Sequence, residues 1–281
     1  MEYEGKNIMT KNIEYVFIGK EVFFMDIKKE VLNQFGKHAE SYVKSELHAK
    51  GNDLKLMVEI SGTNSEVILL DIATGGGHVA NAFAPIVKKV IAYDITPEIL
   101  SQAKNFITKN GHLNVEFVQG DAEGLPFGDY SFDYVTCRIA AHHFPNVEQF
   151  INEVYRVLKP DGYLLLIDNV APENEELDQF YNGIEKQRDP SHYRAWKKSE
   201  WIQFLEERDF SIDIMFRHEK RFNFNDWYDR MQQSQELKEE LQQRMINSTD
   251  KTKKHFKIKI VENSVSEFFG ESVLIKAMRN S

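Results

Sequence analysis

The stretch Val67-Ile68-Leu69-Leu70-Asp71-Ile72-Ala73-Thr74-Gly75-Gly76-Gly77-His78 constrains this chain more than any other. A short apolar run ends in a carboxylate, three glycines follow, and Val79-Ala80-Asn81-Ala82-Phe83 continues as a helix. An apolar run of this length bounded by glycine reads as a strand of a parallel sheet, buried on both faces. The glycines allow a sharp turn and a close approach to a ligand that a side chain would exclude. The first turn of the next helix adds unpaired N–H groups and a partial positive charge. Taken alone, the motif fits a ligand-free βα turn equally well.

The same pattern recurs downstream. Lys88 to Asp94 reads as a second strand with a carboxylate at its end. Thr96-Pro97-Glu98 is a strong helix start, with an N-cap, a proline at the first position and an early acid. That helix runs to about Lys109 and stops at Asn110-Gly111. Val115 to Val118 is a third strand delivering Gly120-Asp121-Ala122, and Phe132 to Cys137 a fourth delivering Arg138 and then His142-His143-Phe144. Val147 to Leu158 is a helix, and Tyr163 to Asp168 a fifth strand. Alternating strands and helices imply βαβ units and a parallel sheet with right-handed crossovers. In such sheets ligands bind beyond the carboxyl ends of the strands, beside the first strand. Asp71, Asp94, Asp121 and Arg138 should therefore face one crevice.

The flanks read differently. Val31, Leu32, Phe35, Ala39, Tyr42 and Val43 follow a helical period from Met25 onward, and Leu54 to Ile60 suggests a second helix stopped near Ser61-Gly62. After Asp168, residues 171–198 mix aromatic and basic side chains, and Ser199 reads as the cap of a helix through Glu207. Strand-like runs follow at 211–217 and 255–262 with helical stretches around 226–246 between them, and Ser272 to Met278 closes the chain as a strand. With no linker-like break, residues 25–281 read as one domain, in which 171–198 is an inserted cover over the acceptor pocket, with Arg188, His192, Tyr193, Arg194 or Trp196 reaching inward.

Composition bounds the partners. The 281 residues are 42% apolar, enough for a sizeable core, and the net charge of −9 argues against a nucleic-acid surface. No apolar run approaches a membrane span of about 20 residues. The single cysteine, Cys137, excludes an internal disulfide and fits a reducing, cytoplasmic compartment. No histidine or cysteine spacing resembles a metal site.

Gly75-x-Gly77-x-x-Ala80, with Asp94 about 20 residues on, fits the dinucleotide fingerprint, so an NAD-dependent oxidoreductase is a rival reading. Three features favour another nucleoside. Asp71 stands before the glycine loop, where a pyrophosphate would be repelled and a cationic amino acid tolerated; Asp121 suits an adenine amino group; and no second domain of the usual dehydrogenase size exists. The ordered set Leu70 to Gly77, Tyr93-Asp94, Gly120-Asp121-Ala122, Phe132-Asp133-Tyr134-Val135 and Arg156 to Gly162 resembles the S-adenosylmethionine-dependent methyltransferases, in particular the ubiquinone/menaquinone C-methyltransferase group and small-molecule enzymes of bacilli. The match spans roughly residues 30–170. Ala73 stands where the family usually has glycine, and Gly76 where threonine or serine is common.

The resemblance implies a Rossmann-like, doubly wound α/β fold: a seven-stranded sheet of order 3-2-1-4-5-7-6, the last strand antiparallel, with a helical N-terminal segment. It implies S-adenosylmethionine as cofactor and direct methyl transfer to a small-molecule acceptor. Asp71, Ala73, Gly75 and Gly77 would hold the methionine part, Asp94 both ribose hydroxyls, Ile95 and Ala122 the adenine ring, Asp121 the adenine amino group, and the Arg138 carbonyl the methionine amino group. His142 and His143 are candidate general bases near the acceptor; they could equally be a buried, hydrogen-bonded pair shaping the loop. A non-catalytic S-adenosylmethionine-binding protein is a further alternative.

Residues 1–24 lack helical period and read as outside the core. Lys20-Glu21-Val22 can be written AAG-GAG-GUN, a ribosome-binding sequence placed about eight nucleotides ahead of the Met25 codon, so Met25 is expected to be the native first residue.

Overall fold

Residues 27–36 and 51–281 are described by the structure, a computed structural model; the expectations for residues 1–24 and for 37–50 lie outside them. The first helix, α1, covers 27–36. It is followed by α2 (Asn52–Ser61), β1 (Ile68–Ile72), α3 (His78–Phe83), β2 (Lys89–Asp94), α4 (Pro97–Lys109), β3 (Val115–Gln119) and β4 (Phe132–Arg138). After a single 3-10 turn, Ala141–His143, come α5 (Val147–Val157), β5 (Leu158–Val170), α6 (Glu175–Arg188), α7 (Lys198–Glu206) and β6 (Phe210–Asn223). Three helices, α8 (Phe224–Asp229), α9 (Gln235–Ile246) and α10 (Asp250–His255), lead to β7 (Lys259–Val261) and β8 (Ser264–Arg279).

The sheet order is β3-β2-β1-β4-β5-β8-β6, with the three-residue β7 pairing only with β8. Setting β7 aside, this is the expected seven-stranded order. β1 to β5 are parallel, and β8 runs antiparallel to both β5 and β6. The central strands are buried on both faces because each face has its own core. Leu70, Ile72, Val135, Leu164 and Leu166 pack on Phe150, Ile151 and Val154 of α5 and on Trp201 and Leu205 of α7. Leu69, Val90, Ala92, Leu165 and Ile167 pack on Leu54 and Met57 of α2 and on Val79 and Phe83 of α3. Leu69 and Leu70 are fully buried, each contributing about 1.5–3 kcal/mol of transfer free energy.

Gly62 ends α2 in the left-handed conformation, φ 70°, and Lys276 Nζ donates to the terminal carbonyls of Ile60 and Ser61, both at 3.1 Å. The Lys159-Pro160-Asp161-Gly162 motif is a structural joint. Lys159 reaches Asp133 at 2.7 Å, whose other oxygen accepts from Ile68 N at 2.8 Å. A Cβ at Gly162 would stand 2.8 Å from the Lys159 carbonyl oxygen.

Several expectations need correction in the C-terminal third. The strands expected at 211–217 and 272–278 are the cores of much longer ones, Phe210–Asn223 and Ser264–Arg279, which form a ribbon extending past the rest of the sheet. Part of the run at 255–262 ends α10, and only Lys259–Val261 pairs as a strand, in a hairpin whose turn residues Glu262 and Asn263 both have positive φ (48° and 62°). The ribbon's end is stabilised by a third core, in which Phe222 and Phe268 meet Trp227, Tyr228, Leu241 and Met245 of α8 and α9. Ser199 is not the cap of α7. Lys197 takes that position, its N–H donating to Glu200, while the Ser199 hydroxyl donates to Glu173 at 2.6 Å. Thr96 stands at the N-cap of α4 but makes no side-chain cap bond.

Candidate active site

The carboxyl ends of β1 to β4 open into two adjoining cavities of about 810 and 410 Å³, their open mouths included. Both are lined by Ala73, Asp94, Ile95, His143 and Phe144, and by Val31 of α1. Asp71, Thr74, Gly75, Gly76 and Arg138 line the larger one; Gly120, Asp121, Ala122, Glu123 and Lys28 line the smaller.

The turn after β1 is left-handed at Ala73 (φ 51°), Gly75 (φ 53°) and Gly77 (φ 79°). Ala73 thus occupies a conformation that glycine adopts freely, which explains why glycine is usual there. Asp71 ties the turn together: Thr74 Oγ1 donates to it at 2.6 Å and Thr136 Oγ1, on β4, at 2.8 Å. Burial raises its carboxyl to about 6, against the pull of these two hydroxyls. Asp94 accepts from Gly75 N at 3.0 Å and Thr96 N at 2.9 Å, and burial likewise raises its pKa. Asp121 accepts from Glu123 N at 2.9 Å and pairs with Lys28 Nζ at 2.6 Å, so α1 is held over the smaller cavity by an ion pair.

Two expected residues are placed elsewhere. Gly77 does not line the cavities among the described residues; a Cβ there would stand 2.8 Å from Ile107 Cδ1 and 3.1 Å from Ala103 Cβ, so glycine serves the contact of the turn with α4. The adjacent histidines are separated by the 3-10 turn. His143 lines both cavities, while His142 points to Asp168, with Nδ1 to Oδ1 at 2.6 Å and its N–H to Oδ2 at 2.7 Å. Arg138 lines the larger cavity, and its guanidinium makes a two-point pair with Asp53, at 2.9 and 3.0 Å.

The segment 171–198 packs on the histidine turn beyond the end of β5. Tyr193 N and Arg194 N donate to the His142 carbonyl, and His143 Nδ1 meets the Ser191 carbonyl at 2.9 Å. None of the five side chains expected to reach inward lines either cavity. Arg188 pairs with Glu185 over the Trp227 ring, Arg194 pairs with Asp178 and Glu200, and His192 meets Asn182 at 3.0 Å. Of the described residues, α1 instead supplies the cover through Lys28, Val31 and Phe35. Phe35 meets the His143 ring edge-on at 5.2 Å. Val31 and Phe35 belong to the amphipathic helix expected there, whereas Lys28 is marked by no local pattern; Asp168, a fourth acid near the carboxyl end of a strand, carries in that position the signal that identifies it.

The rings of His143, His142 and His192 follow one another, tilted by 43° and 35°, with centroids 4.2 and 5.4 Å apart. Burial opposes charge on all three. For His142 the Asp168 carboxylate outweighs burial and raises the pKa. For His143, burial and the neighbouring His142 lower it to about 4; His192 falls well below its ordinary value for the same reasons. Of the three, only His142 has surroundings that favour the charged form.

His142's contribution to stability is complete below 6.5 and is lost as pH rises through its raised pKa. His143's is complete above 6.5 and is lost as pH falls toward about 4. His143→Gln should therefore lose roughly 1–2 kcal/mol less stability than the parent between pH 7 and pH 5 in urea unfolding. Equal acid sensitivity of the two proteins would contradict this account of His143.

Comparison with known proteins follows the same geography. A profile described as methyltransferase domain matches residues 70–166, from β1 through most of β5. The uncharacterised methyltransferase YcgJ of Bacillus subtilis (strain 168) is 36% identical over 246 residues, covering 87% of this chain and 97% of its own length. The crystal structure of a methyltransferase candidate from Bacillus halodurans C-125 is 52% identical with a TM-score of 0.81, covering 82% of this chain and all of its own (100%). The ubiquinone/menaquinone biosynthesis C-methyltransferase UbiE of Pseudomonas putida (strain GB-1) is 35% identical over 133 residues, 46% of this chain and 52% of its own length.

Proposed function

The chain belongs to the S-adenosylmethionine-dependent methyltransferases, and on that premise we propose that it transfers the methyl group by direct displacement to a small-molecule acceptor at the carboxyl ends of β1 to β4. The observation that carries this reading is the convergence of Asp71, Asp94 and Asp121 on the cavities beside the Ala73–Gly75 turn. Acids at these three places suit a cationic amino acid, a ribose and an adenine amino group, whereas a pyrophosphate would meet Asp71. The NAD-dependent reading of the glycine fingerprint falls with the family membership.

When bound, S-adenosylmethionine supplies a methyl group on a sulfonium, which is electrophilic enough to need no further activation. The chain's part is to bind, align and exclude water. Asp94 keeps lone pairs free beyond its bonds to Gly75 and Thr96 and would accept the ribose hydroxyls. Ile95 would lie on the adenine ring, with the Ala122 N–H at its edge. Asp121 would take the adenine amino group in exchange for, or beside, Lys28. The Arg138 carbonyl, Asp71, Ala73 and Gly75 would surround the methionine part, and Gly77 would act by holding the turn on α4.

His143, and not His142, is the histidine we place at the acceptor. Its Nδ1–H donates to the Ser191 carbonyl, which leaves Nε2 as the accepting nitrogen. With a pKa near 4 it is a weak base at neutral pH, suited to orienting an acceptor hydrogen more than removing it. Proximity and alignment then supply most of the rate. The segment 171–198 bounds the acceptor side indirectly, through the histidine turn. The single cysteine, buried in the core, supports a reducing, cytoplasmic setting.

Calorimetry should show adenosylhomocysteine binding and no NAD binding. Labelled methyl donor with an acceptor panel should release adenosylhomocysteine. Binding without any release, in the panel or in a cell extract, would make the protein a non-catalytic binder.

A further inference from the structure

Lys220, on β6, stands opposite Gly270 of β8, beyond the last residues that β5 pairs in the sheet. Its ammonium donates to Asn169 Oδ1 at 2.8 Å and lies 5.6 Å from the Phe222 ring centroid. No carboxylate among the described residues pairs with it. The acids that face it are engaged elsewhere: Asp53 of α2 with Arg138, Asp168 of β5 with His142, and Glu185 of α6 with Arg188 and the Trp227 Nε1–H. Arg230, after α8, adds positive charge nearby. Burial, reinforced by Arg230 and only partly offset by Asp53, Asp168 and Glu185, lowers the Lys220 pKa to about 8, so the amine is still mostly protonated at neutral pH. A half-buried cation has three N–H donors, and only one here has a neutral acceptor.

A groove of about 820 Å³, open to solvent, runs toward this point between α2 and the β5-β8-β6 part of the sheet. Leu56, Ile167, Phe216 and Leu274 give it apolar walls. Alternation along the strands puts Lys220 on the same face as Phe216 and His218, and Asn169 on the same face as Ile167, so the two follow the groove's lining residues along β6 and β5. Asp53 lines the groove and its partner Arg138 lines the larger cavity, so this ion pair joins the linings of the two.

We propose that Lys220 is the anchor for an anionic oxygen-bearing group of the methyl acceptor, a carboxylate or a phosphate, whose apolar body extends past the Asp53–Arg138 pair to the cavity beside His143. This rests on the methyltransferase reading and narrows it to acidic small molecules. The anion would supply the partner that the fold withholds from the lysine, using the two N–H donors that Asn169 does not.

The test uses the adenosylhomocysteine-loaded protein and matched pairs of aromatic and aliphatic carboxylates and their primary amides, followed by ligand-observed NMR. The carboxylates should bind roughly tenfold more tightly than the amides, as for a charge-assisted hydrogen bond. That preference should vanish in Lys220→Met, persist in Lys220→Arg, and leave adenosylhomocysteine affinity unchanged. Methionine is close to isosteric, so a lysine held for a ligand should be replaceable without loss of thermal stability. No preference for carboxylates, or a preference that survives Lys220→Met, overturns the proposal. So does failure of both Lys220→Met and Lys220→Gln to fold, which would make the amine structural. Failure of adenosylhomocysteine to bind the parent protein would instead overturn the methyltransferase reading.

Discussion

Asp94→Ala is expected to weaken S-adenosylmethionine binding by about 1.5–3 kcal/mol, or about 10- to 150-fold, because a charged acceptor of hydrogen bonds is lost. The carboxylate is 7% exposed, so water replaces little of what it supplies. The same substitution leaves the N–H groups of Gly75 and Thr96 without their acceptor, which loosens the turn that the ligand needs. Asp94→Asn, which keeps an acceptor oxygen, should fall between the two. Calorimetry with adenosylhomocysteine measures the effect, and a thermal melt checks the fold. Unchanged affinity in a folded Asp94→Ala protein would remove Asp94 from the site.

Gly77→Ala should act on stability first. An alanine there carries a left-handed φ of 79° and brings its Cβ to 2.8 Å from Ile107 Cδ1 and 3.1 Å from Ala103 Cβ. The conformational cost is about 1–2 kcal/mol and the overpacking about 1–3 kcal/mol. A loss of roughly 2–5 kcal/mol corresponds to a fall in Tm of roughly 5–15 °C in a chain of this size. Urea or thermal unfolding reads it directly. If Gly77→Ala instead melts like the parent but binds adenosylhomocysteine far more weakly, Gly77 touches the ligand and the packing account is wrong.

The two substitutions separate roles that one motif had merged. In the sequence Gly75 and Gly77 are equivalent members of a fingerprint. In the structure Gly75 faces the cavity and donates to Asp94, while Gly77 faces α4. What distinguishes them is Ile107, thirty positions along the chain, and no local pattern encodes that contact. The histidine pair is a second case. His142 and His143 share every local cue, yet Asp168 draws one away from the cavity and the Ser191 carbonyl turns the other toward it.

The half of the chain up to β5 was legible because its information is local. β1, β2 and β5 carry runs buried on both faces, Asp71, Asp94 and Asp121 stand at or just past the ends of β1, β2 and β3, and each crossover helix has its own start and stop. The βαβ handedness then leaves little freedom in the order of β1 to β5. The ribbon of β6 and β8 was only half legible. Arg217-His218-Glu219-Lys220-Arg221 carries no apolar alternation that marks a strand, and it is one because β8 pairs with it, Arg221 meeting Glu267 and Arg217 meeting Glu271. The contact of Lys28 with Asp121, 93 positions apart, is of the same kind. By itself, then, the sequence determined the parallel sheet, the acids at its edge and the turn between them, since short-range periodicity and backbone sterics suffice for those. The tertiary structure alone decided which glycine packs and which lines the cavity, which histidine faces it, what covers it and that Lys220 meets the neutral Asn169 and, among the described residues, no carboxylate, because each depends on a partner that chain folding brings from far away.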